Sequence, residues 1–223
     1  KAHTPGFYTT GDNNWFYADS HGRNVTGAQV INGQHLYFDA NGRQVKGGFV
    51  TNTDGSRSFY HWNTGDKLVS TFFTTGHDRW YYADDKGNVV TGAQVINGQK
   101  LFFATDGKQV KGDFATNANG SRSYYHGATG NKLVSTFFTT GDNNWYYADA
   151  KGELVVGEQT INGQHLYFDQ TGKQVKGATA ANPDGSISYY DVHTGEKAIN
   201  RWVKIPSGQW VYFNAQGKGY VSN

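Results

Sequence analysis

Apolar and polar residues alternate in short stretches along the whole chain, as in Leu36-Tyr37-Phe38 and Gln44-Val45-Lys46. A period of two is typical of β-strands, and no apolar stripe with the 3.6-residue period of a helix reaches helical length. Between the stretches lie segments rich in Asp, Asn, Thr and Gly, which are residues typical of turns. The pattern therefore predicts an all-β chain of about ten β-hairpins with essentially no helix.

Aromatic residues mark a long internal repeat, because Trp15, Trp80, Trp145 and Trp210 are evenly spaced along the chain. This long repeat predicts three copies of one unit, at 7–71, 72–136 and 137–201, and a partial fourth copy at 202–223. A finer period of about 21 or 22 residues is marked by the aromatic pairs Phe16-Tyr17, Tyr37-Phe38 and Phe59-Tyr60. Each copy of the long repeat is therefore expected to contain three hairpins.

A single hairpin is not stable in water, whereas hairpins stacked on one another bury a continuous core. We therefore predict one repeat domain over 1–223, built as an elongated β-solenoid. Only 36% of the residues are hydrophobic and 16% are aromatic, so Tyr, Phe and Trp must provide most of the buried surface.

Composition and charge exclude several classes of function. The chain has no cysteine, so it has no disulfide framework and no cysteine-based zinc site. A formal net charge of +2, with Lys and Arg spread along the chain, argues against a nucleic-acid partner. No apolar run approaches the length of a membrane-spanning helix, so membrane insertion is not expected. We expect the chain to be a piece of a longer protein.

Two recurring segments carry a resemblance to a known family. They are WYYADxKG followed by VTGAQVINGQ, and DxxGKQVKG, which recur in this order at fixed spacing. They resemble the glucan-binding, cell-wall-binding-type repeats of secreted bacterial glucansucrases, and the choline-binding repeats of bacterial surface proteins are relatives. The resemblance implies an extracellular, cell-wall-associated location and pockets for α-glucan such as dextran. It also implies that sucrose-cleaving catalysis resides in a separate domain of the parent enzyme.

A candidate sugar site follows from the middle hairpin of each unit. A pyranose has an apolar C–H face and a ring of hydroxyls, so its site needs an aromatic platform with amide and charged donors. Alternation places Tyr37 opposite Leu36 and Phe38, and it places Gln44 and Lys46 on one face. The next hairpin would add Tyr60. The equivalent candidates are Phe102, Gln109, Lys111 and Tyr125 in the second copy, and Tyr167, Gln174, Lys176 and Tyr190 in the third.

Catalytic and metal sites are not expected. Aspartates recur at the same turn position of each long repeat, where Asp is favoured for backbone hydrogen bonding; they are Asp19, Asp84 and Asp149. A catalytic pair of carboxylates would instead occur once in the chain, at two unlike positions. His35 is replaced by Lys100 in the middle copy, so no histidine metal site or general base is indicated. We predict a binding module that is not an enzyme, with no catalytic residue, metal or cofactor.

Three functions remain open on sequence alone. The first is weak, multivalent capture of an α-glucan polysaccharide or oligosaccharide near the catalytic domain of the parent chain. The second is anchoring to choline or teichoic acid of the cell wall through aromatic cages, which a lysine beside the platform disfavours. The third is a structural spacer, in which the aromatic residues form core and Gln44 and Lys46 are a solvated strand face.

Overall fold

The computed structural model describes residues 1–222 and confirms the predicted all-β architecture. Within these residues, twenty strands of four or five residues pair antiparallel, each with one neighbour, to form ten hairpins. In chain order the strands are β1 Gly6–Thr9, β2 Trp15–Ala18, β3 Gly27–Ile31, β4 Gln34–Phe38, β5 Gly48–Thr51, β6 Arg57–Tyr60, β7 Thr71–Thr74, β8 Trp80–Ala83, β9 Gly92–Ile96, β10 Gln99–Phe103, β11 Asp113–Thr116, β12 Arg122–Tyr125, β13 Thr136–Thr139, β14 Trp145–Ala148, β15 Gly157–Ile161, β16 Gln164–Phe168, β17 Ala178–Ala181, β18 Ile187–Tyr190, β19 Arg201–Lys204 and β20 Trp210–Phe213. None of the residues from 1 to 222 belongs to a helix with the length and apolar character of a membrane span.

Turn chemistry explains why the strands pair in this register. In the β3–β4 hairpin, Asn32 and Gly33 have φ values of 52° and 79°, the positive values that a type I′ turn requires at both central positions. After β4, the Asp39 carboxylate accepts hydrogen bonds from the backbone N–H groups of Asn41 and Arg43, both at 2.9 Å. The same carboxylate–backbone bonds recur at Asp19, Asp84 and Asp149, as the sequence predicts.

The hairpins form two compact units, Lys1–Val110 (unit 1) and residues 111–222 (unit 2), with five hairpins in each. Backbone hydrogen bonds join neighbouring hairpins inside each unit. In unit 1, the N–H of Gln44 donates to the carbonyl of Trp15 at 2.7 Å, and the N–H of Lys67 donates to the carbonyl of His35 at 2.9 Å. Each of these bonds connects the segment after one hairpin to the second strand of the preceding hairpin, so successive hairpins stack.

The core of each unit consists of small clusters between stacked hairpins. In unit 1, the ring of Phe73 lies 4.6 Å from that of Phe59 and 5.3 Å from that of Tyr81. Phe38 is fully buried in a second cluster with Leu36 and Ile31. Burying one such side chain stabilises the fold by about 1.5–3 kcal/mol. The repeated aromatic pairs therefore provide much of the buried apolar surface in a chain with few aliphatic residues.

Candidate functional site

An open cavity of about 300 Å³ lies on unit 1 where the first three hairpins meet. Its lining contains aromatic rings, two amides, a hydroxyl and an ammonium group. The lining residues are Phe7, Trp15, Gln34, Leu36, Gln44, Lys46 and Thr64. Because they come from three hairpins, the cavity depends on the stacking of the hairpins.

The stacking bond between the first two hairpins positions the polar wall against the aromatic wall. The Gln44 N–H donates to the Trp15 carbonyl, which brings the strand-like segment 44–46 alongside β2. Lys46 then places its Nζ over the face of the Trp15 ring, 5.4 Å from the ring centroid. An ammonium group at this distance is attracted by the electron-rich ring face, so the lysine is held at the cavity.

The third hairpin contributes a turn, residues 61–65, that forms the rim of the cavity. Gln44 donates from Nε2 to the carbonyl of Thr64 at 3.4 Å, and its side chain is buried. Gly65 has a φ of +76°, and a Cβ at this position would collide with Nε2 of Gln44. The positive φ at 65 therefore favours glycine, and the absence of a Cβ leaves room for the amide of Gln44.

A cavity of about 280 Å³ on unit 2 repeats this arrangement in the third copy of the long repeat. Lys176 lies over the Trp145 ring at 5.4 Å, as Lys46 lies over Trp15, and the Gln174 N–H donates to the Trp145 carbonyl at 2.7 Å. All seven lining residues are identical in type, and they are Phe137, Trp145, Gln164, Leu166, Gln174, Lys176 and Thr194. In sequence, the middle copy carries the same seven types at Phe72, Trp80, Gln99, Leu101, Gln109, Lys111 and Thr129.

The structure places some of the predicted site residues in the lining of the cavities and others outside it. Gln44 and Lys46 line the cavity of unit 1, and Gln174 and Lys176 line that of unit 2. Tyr37 does not line the unit 1 cavity, because it alternates along β4 with the cavity residues Gln34 and Leu36 and so faces the other way. In the middle copy, Phe102 and Lys111 are half-buried and Gln109 is buried.

The second set of predicted tyrosines is buried. Tyr60, Tyr125 and Tyr190 expose 3, 1 and 0% of their surface, and none is among the residues lining the two cavities. The ring of Tyr60 packs 5.8 Å from that of Tyr37, and burial raises the pKa of Tyr60. Burial likewise raises the pKa of Tyr125 and, more strongly, that of Tyr190. These rings pack against other side chains, and direct contact with a sugar stays a prediction.

Tyr167 lies instead in a separate cavity of about 590 Å³ on unit 2, together with Glu158, Asp184 and Lys218. Lys218 donates from Nζ to Asp184 at 2.7 Å, and this bond and the bonds from Ser186 hold the pKa of Asp184 well below its ordinary value. Glu158 forms a longer ion pair with Lys197, at 3.6 Å. Each of the three charged side chains of this cavity thus takes part in an ion pair.

No cluster of three or more His, Asp or Glu side chains that could hold a metal ion occurs among residues 1–222. The two equivalent cavities offer an aromatic surface edged by two amides, a hydroxyl and an ammonium group.

The chain is similar to parts of large streptococcal proteins. It is 41% identical to Glucosyltransferase-S of Streptococcus mutans serotype c over 203 residues, which cover 91% of this chain and 14% of the relative. It is 36% identical to Glucosyltransferase-I of Streptococcus downei over 252 residues, which cover 91% of this chain and 16% of that protein. The chain thus spans only about a seventh of the length of these relatives.

Solved structures share its fold. Choline binding protein F of Streptococcus pneumoniae superimposes with a TM-score of 0.59 at 16% identity, covering 99% of this chain and 100% of that one. The modular autolysin LytC of Streptococcus pneumoniae superimposes with a TM-score of 0.64 at 17% identity, covering 98% of this chain and 49% of the autolysin. These likenesses support the predicted solenoid of stacked hairpins.

Family models match most of the chain in the register of the long repeat. The model for the choline-binding repeat matches 25–72, 90–137 and 155–202, and that for the cell wall binding repeat matches 70–89, 135–154 and 200–218. These matches confirm the resemblance inferred from the recurring segments. The chain belongs to the choline-binding, cell-wall-binding repeat family, and it corresponds to a repeat domain of the kind found in streptococcal glucosyltransferases.

Proposed function

We propose that this chain is a non-catalytic module that binds α-glucan in repeated cavities lined by Trp, Gln and Lys. One observation carries the proposal: the same seven residue types line a cavity in each of the two units, at equivalent positions of the long repeat. A repeated polymer is matched by repeated sites. Weak sites that are linked in one chain gain roughly 10²–10⁴ in avidity over a single site.

The cavity has the chemistry that a glucosyl unit needs. The ring of Trp15 offers an apolar surface for the C–H face of the sugar. Gln34 can both donate to and accept from vicinal hydroxyls, and Lys46 donates only. Gln44 already donates to the Thr64 carbonyl, so it holds the rim and is less free to exchange partners.

Relatives support glucan as the polymer. The chain is similar to a segment that makes up about a seventh of the length of proteins named glucosyltransferases. The proposed role is therefore to hold polymer close to a catalytic domain elsewhere in a parent chain. On this proposal the parent is a secreted glucansucrase, acting outside the cell or at the cell wall. The catalytic activity belongs to that other domain.

Choline is the competing ligand, because the family models are those of choline-binding and cell-wall-binding repeats. A quaternary ammonium would bind over the face of an aromatic ring. In both cavities a lysine Nζ already lies over the tryptophan face, 5.4 Å from the ring centroid. A second cation there would meet repulsion, and this observation favours a neutral, hydroxyl-rich ligand.

Native affinity electrophoresis in gels with and without dextran tests the proposal. Dextran should retard the chain, and choline added to the gel should not relieve the retardation. The triple variant Trp15→Ala, Trp80→Ala and Trp145→Ala should lose at least tenfold in apparent dextran affinity. Each substitution keeps the backbone carbonyl that holds the stacked hairpins, and circular dichroism of the triple variant verifies that the loss of three partly buried rings leaves the chain folded.

The matched control removes an exposed ring outside these positions, Tyr220→Ala, and should be retarded like the parent chain. Relief of the retardation by choline would assign the cavities to wall anchoring. A chain that dextran never retards would overturn the proposal and favour a structural spacer.

A further inference from the structure

One exposed aromatic side chain lies at the rim of the unit 1 cavity without being part of its lining. Trp62 exposes 60% of its surface, although tryptophan is among the most costly side chains to leave in water. It belongs to the turn 61–65, which also carries the cavity residue Thr64. Singly exposed apolar side chains are common, so the position of Trp62 beside the cavity, and not its exposure alone, points to a ligand.

The Trp62 ring is held in place by its own turn. It stacks on the ring of His61 with a centroid distance of 4.4 Å and an interplanar angle of 21°. His61 is fixed in turn, because its Nδ1 accepts hydrogen bonds from the backbone N–H groups of Asn63 at 3.0 Å and Thr64 at 3.2 Å. The platform is therefore ordered before any ligand arrives, which lowers the entropic cost of binding.

Contacts of the turn place Trp62 next to the polar wall of the cavity. A Cβ built on Gly47, the residue after Lys46, would lie 3.2 Å from the Cβ of Trp62. A Cβ on Gly65 would lie 3.4 Å from the Cγ of Lys46. The turn thus packs along the segment that carries Lys46, and Trp62 continues the wall beyond that lysine.

The other repeats keep the turn but not the ring. The same position holds Gly127 in the second copy and Val192 in the third. Val192 packs on Gly177 in the same way, with its Cγ2 3.0 Å from a Cβ built there. The packing role of the position is therefore met by valine, and the exposed indole is a property of the first cavity alone among the three copies.

We infer that Trp62 is a second aromatic platform, which stacks on a neighbouring glucosyl unit and extends the unit 1 cavity from one sugar to two or more. The inference rests on the proposed function and specifies where the polymer leaves the cavity. It makes unit 1 selective for longer oligosaccharides, whereas the equivalent cavity of unit 2 gains nothing from chain length at this position.

Labelling with 5-fluorotryptophan makes the inference testable, because the chain has six tryptophans and each gives one fluorine resonance. Variants Trp62→Val, Trp15→Phe and Trp145→Phe assign the three relevant resonances. On titration with isomaltohexaose, the resonances of Trp15 and Trp62 should shift with the same midpoint. Trp62→Val should weaken binding reported by Trp15 on the order of fivefold, and it should leave the midpoint reported by Trp145 unchanged.

The reciprocal variant, Val192→Trp, serves as the matched gain of function. It should strengthen isomaltohexaose binding reported by Trp145 by a similar factor, and it should change isomaltose binding less. If Trp15 shifts while Trp62 does not, and Trp62→Val keeps the parent midpoint, the inference is wrong and the proposed function stands. If no tryptophan resonance responds to any glucan, the proposed function fails, and the inference fails with it.

Discussion

Unit 1 and unit 2 contain cavities with the same seven lining residues, but the residues around those cavities differ. The rim of the unit 1 cavity has Trp62 stacked on His61, whereas the rim of the unit 2 cavity has Val192 beside Asp191. Lining residues also hold the hairpins together, so a change there affects both packing and the cavity. Trp62 and Val192 are exposed and line neither cavity, so this position can change more freely. The comparison indicates that the repeats share one frame and diverge in ligand preference at the rim.

The shared frame can be broken most strongly at the buried phenylalanines. Phe38 and Phe168 occupy equivalent positions and are fully buried. Phe38→Ala and Phe168→Ala should each lower the free energy of unfolding by about 3–5 kcal/mol, because each leaves a cavity in a small core cluster. Urea unfolding followed by circular dichroism measures both. As a control, substitution of the exposed Val30 by alanine should change the free energy of unfolding by less than about 0.5 kcal/mol. If only one of the two phenylalanine variants lost less than about 1 kcal/mol, the two units would not share a common frame.

The next largest effect is expected where the rim packs on the polar wall. Gly65→Ala adds a Cβ that collides with the Gln44 amide and strains a backbone at positive φ. Gly55 also has a positive φ, of +87°, but has no atom within 4 Å of the added Cβ. Gly55→Ala should therefore cost about 1 kcal/mol, and Gly65→Ala about 1–3 kcal/mol more. Equal losses in thermal denaturation would show that Gln44 moves away freely.

Much of the fold can be predicted from sequence because its determinants are local. Asn32-Gly33 specifies a tight hairpin turn, and Asp39 bonds to the backbone two and four positions later, so neither feature depends on distant residues. The alternation in β4 likewise identifies Leu36 and Phe38 as buried. Repetition of these signals in each copy of the long repeat then extends one hairpin assignment to the entire chain.

The site is predictable only in part, because it is assembled between hairpins. The shared face of Gln44 and Lys46 identifies them, and both line the cavity. Alternation does not reveal Trp15 and Thr64 as their partners, since these reach the cavity through the stacking of the preceding and following hairpins. Tyr60 is expected at the site, but it is buried with its ring against Tyr37 of the preceding hairpin, which alternation within its own strand does not show. Thr64 and the other lining residues recur with the same residue types at equivalent positions of the long repeat. This recurrence is a sequence signal that could identify the site.

Ligand binding sharpens the comparison through the two lysines. Lys46→Met and Lys176→Met should each weaken isomaltohexaose binding in its own cavity by about threefold to tenfold, through the loss of one hydrogen bond. The fluorotryptophan resonances of Trp15 and Trp145 report the two cavities separately. The control Lys173→Met removes an exposed lysine of unit 2 that lies outside the cavity, and it should leave glucan binding unchanged. If the lysine variants instead gain affinity for choline and keep their glucan affinity, the cavities bind choline and the glucan proposal is wrong for them.

The smallest expected effect concerns a difference outside the two equivalent cavities. It is the ion pair between Asp184 and Lys218 in unit 2, whose counterparts in unit 1 are Asp54 and Asn88. The bond from Lys218 is the main cause of the lowered pKa of Asp184. Because the folded state lowers this pKa, the pair stabilises the fold above the unfolded value of about 3.9, and that contribution is lost as pH falls below it. Lys218→Asn should therefore lower the melting temperature slightly at pH 7 and should approach the parent chain in acid. Both groups are exposed, so salt should shrink the difference at pH 7. A difference that persists unchanged in acid or in high salt would mean that Lys218 acts through packing and not through its charge.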